Sequence, residues 1–266
     1  MSDTRQPRTA AGSLMRDVAR RFREGRNSLP DARWRTWKRR IAIGALAMFA
    51  LMAALRIAAE RALDSGFLAW ESRFIGWLGS SGPFGFSDAV FFQTFGSDIT
   101  LVILIAATAG IAAWMRRPIV AASIILAALI PDLVVRFGWA IWSRARPDIL
   151  YDGIASPGFH SFPSGHAAKT MAVYGFLVAI WLRSSRSAVE KATGCLVLAF
   201  IAVVVPLGRM AMGVHWPSDV IAGLLIGFVW MTVLVRESAR AERVPGQPVA
   251  SRASGELPPS ASAAAR

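Results

Sequence analysis

Apolar residues along this chain come in blocks that are too long for a soluble core. Six of them, at 41–59, 98–115, 119–142, 166–182, 192–208 and 217–235, run almost unbroken. Each approaches the ~20 residues that a helix needs to cross a bilayer. The pattern predicts an all-α protein, a bundle of six transmembrane helices. Between the first two spans the pattern changes. Phe67, Trp70, Phe74, Ile75, Trp77 and Leu78 are interleaved with Glu71 and Arg73. This reads as an interfacial amphipathic helix with aromatics at headgroup depth. Asp88 through Phe95 reads as a second short piece feeding the next span. Segment 60–97 is expected to pack and to shape a lipid entrance, and no catalytic group is read there.

Both ends of the chain are polar. Residues 1–40 form a basic leader in which Leu14, Val18 and Phe22 recur every fourth residue among Arg16, Arg20, Arg21 and Arg23. An unstructured positive-inside signal is the favoured reading, and a basic amphipathic helix on anionic lipid is the alternative. The apolar run from Ile41 reads as a retained first span and not as a cleaved signal peptide. Residues 237–266 are expected to be a disordered cytoplasmic tail, rich in Ala, Ser, Pro and Gly beyond about Val244. Residues 41–236 are left as one membrane domain.

Composition agrees, with 54% hydrophobic residues and a mean hydropathy of +0.43. The net charge of +13 invites a nucleic-acid partner. Its placement argues against one, because the basic residues sit at the chain ends and between apolar blocks, where a membrane protein marks its cytoplasmic side. With six spans, the leader, Arg116-Arg117, the Arg183/Arg186/Lys191 loop and the Arg236/Arg240/Arg243 segment all fall on one side. Both termini are therefore expected in the cytoplasm. Segment 60–97, the 143–165 loop and the 209–216 turn are expected on the opposite face. The single cysteine, Cys195, excludes an intrachain disulfide and reads as a small hydrophobe within an apolar block.

Three polar clusters border these blocks, where arginine and histidine are otherwise expensive to place. The first is Arg144-Ala145-Arg146-Pro147. The second is Pro163-Ser164-Gly165-His166, and the third is Arg209 with His215 and Asp219. Ser164 is a good helix N-cap, Gly165 permits close backbone approach, and a helix N-terminus favours an anion. His166 would project from that first turn. Pro217 suits the first turn of the sixth span, which puts Asp219 early in it. A carboxylate accepting the Nδ1 proton of His215 would leave Nε2 nucleophilic. Arg209 can clamp phosphate oxygens, and Arg144 and Arg146 lie on the face where the positive-inside pattern does not ask for them. Singly, each cluster has a plainer explanation: a helix cap, a snorkelling arginine beside a charge pair, two solvated loop arginines. Together they can hold a phosphoryl group and transfer it to a histidine. His160 reads as a loop-packing residue, and Asp132 is placed to pair with Arg136 at i, i+4.

In order, spacing and membrane setting the clusters resemble the type 2 phosphatidic acid phosphatases, also called lipid phosphate phosphatases. Their signature is a Lys, six residues and Arg-Pro; then Pro-Ser-Gly-His; then Ser-Arg, five residues, His, three residues, Asp. The resemblance covers roughly residues 60–235. It implies metal-independent hydrolysis of a lipid phosphate or pyrophosphate through a phosphohistidine, with no cofactor. It also implies a site at the outer (periplasmic or extracellular) face of the plasma (bacterial inner) membrane. Carried over, His215 is the nucleophile, Asp219 its orienting partner, and His166 the general acid and then base. Arg146, Ser164, Gly165 and Arg209 bind the phosphoryl oxygens. The expected partners are a lipid phosphate and the surrounding membrane lipids, with phosphatidate, phosphatidylglycerophosphate, polyprenyl pyrophosphate and lipid A phosphate as candidate substrates.

Two positions depart from the signature. Gly208 stands in place of the serine, and Trp139 stands where the lysine should be. Arg136, Lys169 and Arg144 are the candidates to replace that lysine. A lipid phosphotransferase using the same phosphohistidine, and a catalytically impaired lipid-binding homologue, stay open beside the hydrolase.

Overall fold

The computed structural model describes residues 10–82, 85–150 and 160–243. Among them the chain forms α1 (Ala10–Asn27), α2 (Asp31–Asp64), α3 (Trp70–Ser81), α4 (Phe86–Gln93), α5 (Asp98–Trp114), α6 (Pro118–Ile141), α7 (Gly165–Ser184), α8 (Ala188–Ala211) and α9 (Pro217–Glu242). A 3-10 turn at Thr94–Gly96 joins α4 to α5. No strand occurs among the described residues. Six segments are long and apolar enough to cross a membrane: α2, α4–α5 taken together, α6, α7, α8 and α9. The all-α, six-span architecture is the one the apolar blocks predict. Ile99, Val102 and Ile103 of α5, Leu196, Phe200 and Val203 of α8, and Ile221 and Phe228 of α9 are exposed. Apolar faces of this extent suit lipid and not water. The chain is an integral membrane protein.

Local signals set the span boundaries. Ser97, Ser164 and Ser187 cap α5, α7 and α8, each accepting a first-turn backbone N–H. Pro118 and Pro217 open α6 and α9. The central helix, α7, packs against α6, α8 and α9. Its closest neighbour is α9, and the seam is lined by Gly223 and Gly227. A Cβ on Gly223 would stand 2.4 Å from the Ser164 carbonyl oxygen, and one on Gly227 2.4 Å from that of Ala168. The two backbones touch without intervening side chains, as small residues four apart allow between membrane helices. The first turns of α7 and α9 are thereby locked together, and the Ser164 N–H donates to the Asp219 carbonyl at 3.0 Å.

The termini differ from expectation. Residues 10–27 and 31–40, favoured as unstructured, are helical. Val18 and Phe22 of α1 pack against the main hydrophobic cluster, alongside Ile105, Ala109 and Ala113 of α5. The apolar stripe finds a protein surface there. The first span begins ten residues before Ile41, because Trp37 continues its buried face. At the other end α9 runs to Glu242, past the expected tail boundary at 237. Ser238 is buried there and hydrogen-bonds Ser123 at 2.9 Å. The rest of the expected tail, 244–266, and residues 1–9 lie outside the described residues. Cys195 is exposed on the outer face of α8.

The bundle has two unlike ends. At one, Arg116 meets Glu24, Arg117 meets Glu242 and Arg40 meets Glu237. The other receives the C-terminus of α6 and the N-termini of α7 and α9, and there the three polar clusters meet.

Candidate active site

The backbone brings the clusters together before any side chain acts. The Arg144 carbonyl accepts the N–H groups of His160 at 3.1 Å and Ser161 at 3.0 Å, which ties the loop after α6 to the loop before α7. The Trp216 indole donates to the Ala145 carbonyl at 2.9 Å, tying that loop to the start of α9. The Val214 N–H donates to the Arg209 carbonyl at 3.1 Å and closes the turn between α8 and α9.

His215 is 2% exposed. Its Nδ1 lies 2.9 Å from the Ser161 carbonyl, which can only accept. Nδ1 therefore carries the proton, and Nε2 is left as the basic nitrogen. Asp219 stands 3.7 Å from the same Nδ1. The nearer acceptor is thus a backbone carbonyl, and the expected carboxylate of Asp219 is the second group facing that proton. Burial pushes the His215 imidazole below its ordinary value, and Asp219 opposes that displacement without overcoming it. A displacement in that direction favours the neutral ring at neutral pH.

Asp219 is fully buried. One oxygen accepts the Ser161 hydroxyl and the Trp216 N–H, the second at 2.7 Å. The other oxygen accepts Arg144 Nη1. Arg144 Nη2 reaches Glu71 of α3 at 2.8 Å, and Glu71 also accepts the Ser218 N–H at 2.7 Å. Arg144, a candidate for the missing cation, is therefore committed to two carboxylates.

His166 sits in the first turn of α7, half-buried, with the 3-10 turn close by: a Cβ on Gly96 would stand 3.6 Å from its ring. The charges of Arg209, Lys169 and Arg146 all act on His166, and those of Arg209 and Arg146 act on His215. Arg146 and Arg209 are close enough to influence one another. Two guanidinium groups whose charges act on one another repel, and an anion between them relieves the repulsion. Arg209 is held by Gln93 of α4 at 2.5 Å through Nη1, while its buried Nε makes no hydrogen bond among the described residues. Ser164 is buried as the α7 cap, and Gly165 follows it with its N–H at the helix start. All seven residues singled out for the site lie at this end of the bundle.

The two departures have structural counterparts. A Cβ on Gly208 would stand 2.8 Å from the Ala89 carbonyl, so α4 occupies the space a serine would need. That close approach also brings Gln93 to Arg209. Trp139 packs against the main cluster with its ring 6.1 Å from that of His160. Asp132 and Arg136 form the expected i, i+4 pair at 2.7 Å, with the Arg136 side chain 65% exposed. Lys169 is 12% exposed and held by Asp98 and Asp132.

Sequence reasoning missed Glu71, Ser161, Gln93 and Ser218. For Glu71 a signal existed. It shares one helical face with Ile75 and Leu78, at i, i+4 and i+7, so it lies on the apolar side of its own helix. Both of those neighbours are buried. Ser161, Gln93 and Ser218 carry no comparable mark.

The chain is similar to known proteins. Residues 117–243 match the PAP2 superfamily. A lipid A 1-phosphatase of Rhizobium johnstonii is 37% identical over 101 residues, 34% of this chain and 36% of that protein. A lipid A 1-phosphatase of Rhizobium etli is 38% identical over 101 residues, 34% of this chain and 38% of that protein. The matched part thus spans just over a third of the length of these curated relatives. Among solved structures, the transmembrane PAP2-type phosphatidylglycerolphosphate phosphatase of Bacillus subtilis aligns with a TM-score of 0.62 at 20% identity. That alignment covers 75% of this chain and 98% of the other, and shows a common fold.

Proposed function

For a chain whose residues 117–243 match the PAP2 superfamily, we propose an integral membrane phosphatase that hydrolyses a lipid phosphate through a phosphohistidine. One observation carries the reading: the charges of two guanidinium groups act on two imidazoles at one end of the bundle, and one of those imidazoles has its Nδ1 proton fixed on a carbonyl. Nε2 of His215 attacks phosphorus, and the bond from phosphorus to the lipid oxygen breaks. His166, in its protonated form, gives that oxygen its proton. Water then attacks the phosphohistidine, with His166 taking the water proton, and inorganic phosphate leaves. Arg146, Arg209, the Ser164–Gly165 helix start and its dipole stabilise the charge on the phosphoryl oxygens. Among the three replacements for the missing lysine, Lys169 is favoured. It lies on the same face of α7 as His166, and its partners Asp98 and Asp132 are 74% and 32% exposed, whereas the carboxylates that hold Arg144 are buried and Arg136 is itself exposed.

The name shared by the two curated relatives favours a lipid A 1-phosphate over the other candidate substrates. The basic end opposite the site supports an outer-face location with cytoplasmic termini. Phosphate release from a panel of lipid phosphates in detergent tests the reading. His215→Ala is expected to abolish release from every accepted lipid while keeping the melting temperature. Full turnover in that variant would refute the mechanism.

A further inference from the structure

The sequence assigns α3 to packing, yet α3 carries a buried carboxylate that no signature residue accounts for. Glu71 is 1% exposed. Its two oxygens take Arg144 Nη2 at 2.8 Å and the Ser218 N–H at 2.7 Å. Arg144 sends Nη1 to the Ser218 hydroxyl at 2.7 Å and to Asp219. A planar guanidinium fixes the separation and orientation of the carboxylates it bridges, which an ammonium does not. The Arg144 main chain extends the same control. Its carbonyl anchors the amide of Ser161, whose own carbonyl receives His215 Nδ1 and whose hydroxyl reaches Asp219. The carbonyl and the carboxylate that orient His215 are both attached to Arg144, and Arg144 is attached to α3.

We infer that Glu71, acting through Arg144, is a positioning residue for His215, and that it couples the helix expected at the lipid interface to the reacting histidine. The inference rests on the phosphatase reading above. It concerns charge as well as geometry. Glu71, Arg144 and Asp219 together leave one net negative charge beside His215. The other groups facing His215 are cationic or neutral: Arg209 on α8, Arg146 on the loop after α6 and His166 on α7. The residual negative charge offsets those cations and supports the positive ring that phosphorylation at Nε2 creates. Arg144 alone would cancel Asp219, and Glu71 prevents that.

The two ends of the relay therefore push in opposite directions. Glu71→Gln keeps the shape and removes the extra negative charge, so protonated His215 is harder to form. Arg144→Gln leaves two carboxylates unopposed, so protonated His215 is easier to form. The experiment is the pH profile of kcat/KM for the wild type, both variants and His215→Ala, in full-length protein in detergent with one lipid phosphate. Wild type is expected to keep its acid limb below the ordinary imidazole value of about 6.5. Glu71→Gln should move that limb lower and Arg144→Gln higher, each by roughly one pH unit. In both, kcat should fall about tenfold with KM little changed. Either single variant decides the point if the other folds poorly. Acid limbs that coincide with wild type, or that move the same way, overturn the inference while an inactive His215→Ala leaves the phosphatase reading intact. An active His215→Ala removes the reading itself.

Discussion

At the basic end of the bundle Arg116 meets Glu24 at 2.9 Å and Arg117 meets Glu242 at 2.8 Å; at the opposite end Arg144 meets Glu71 at 2.8 Å and also holds Asp219. The chemistry is the same in each case, but the surroundings differ. The side chains of Arg117 and Glu242 are 40% and 24% exposed, whereas those of Arg144 and Glu71 are 6% and 2% exposed. Exposed pairs are screened and contribute about 0–1 kcal/mol. Breaking a buried pair strands a charge and costs about 3–5 kcal/mol. At the basic end the arginines and their partners stay partly exposed. At the site end Arg144 is a buried joint that ties Glu71 and Asp219 to the loop beside His215.

That contrast can be tested, and the steepest test lies at Asp219. Asp219→Asn removes the charge facing both His215 and Arg144, and kcat should fall by about 10³-fold or more, with a lower melting temperature. Retention of wild-type turnover would show that charge at this position is irrelevant to the chemistry. The next largest effect is expected at Lys169. Lys169→Met should lower kcat/KM by about tenfold, while Arg136→Met, altered at an exposed position, should change it less. Equal effects in the two variants would remove Lys169 as the replacement cation. The smallest effect belongs to the basic end. A double-mutant cycle on Arg117→Gln and Glu242→Gln should give a coupling of about 0.5 kcal/mol in denaturation and leave turnover unchanged. A coupling as large as that of a buried pair would erase the distinction between the two ends.

Legibility followed the same division. The six spans could be read from apolar blocks because a bilayer demands length and composition, and both are local properties of the chain. Helix boundaries at Ser97, Ser164, Pro118 and Pro217 were local as well. Arg146, His166, Arg209, His215 and Asp219 could be read as a set because their spacing resembles a known signature and each sits at a span border. The start of the first span at Asp31 was harder to see. It depended on Trp37 finding a neighbour, and the helicity of α1 depended on Val18 and Phe22 finding a surface on α5. Neither partner is visible in a local window.

The sequence by itself determined how many times this chain can cross a membrane, which side carries its positive charge, and which side chains are chemically able to handle a phosphoryl group. Tertiary structure decided which carboxylate meets which cation. Arg144 stood in the sequence as a candidate for the substrate, and the fold gave it to Glu71, 73 residues away, and to Asp219, 75 residues away. The same folding gave the Nδ1 proton of His215 to a carbonyl that no residue type could announce. Such choices turn on distances set by helix packing, here by Gly223 and Gly227 seating α9 on α7. Packing is a property of surfaces brought together from remote parts of the chain, whereas composition and period belong to each segment on its own.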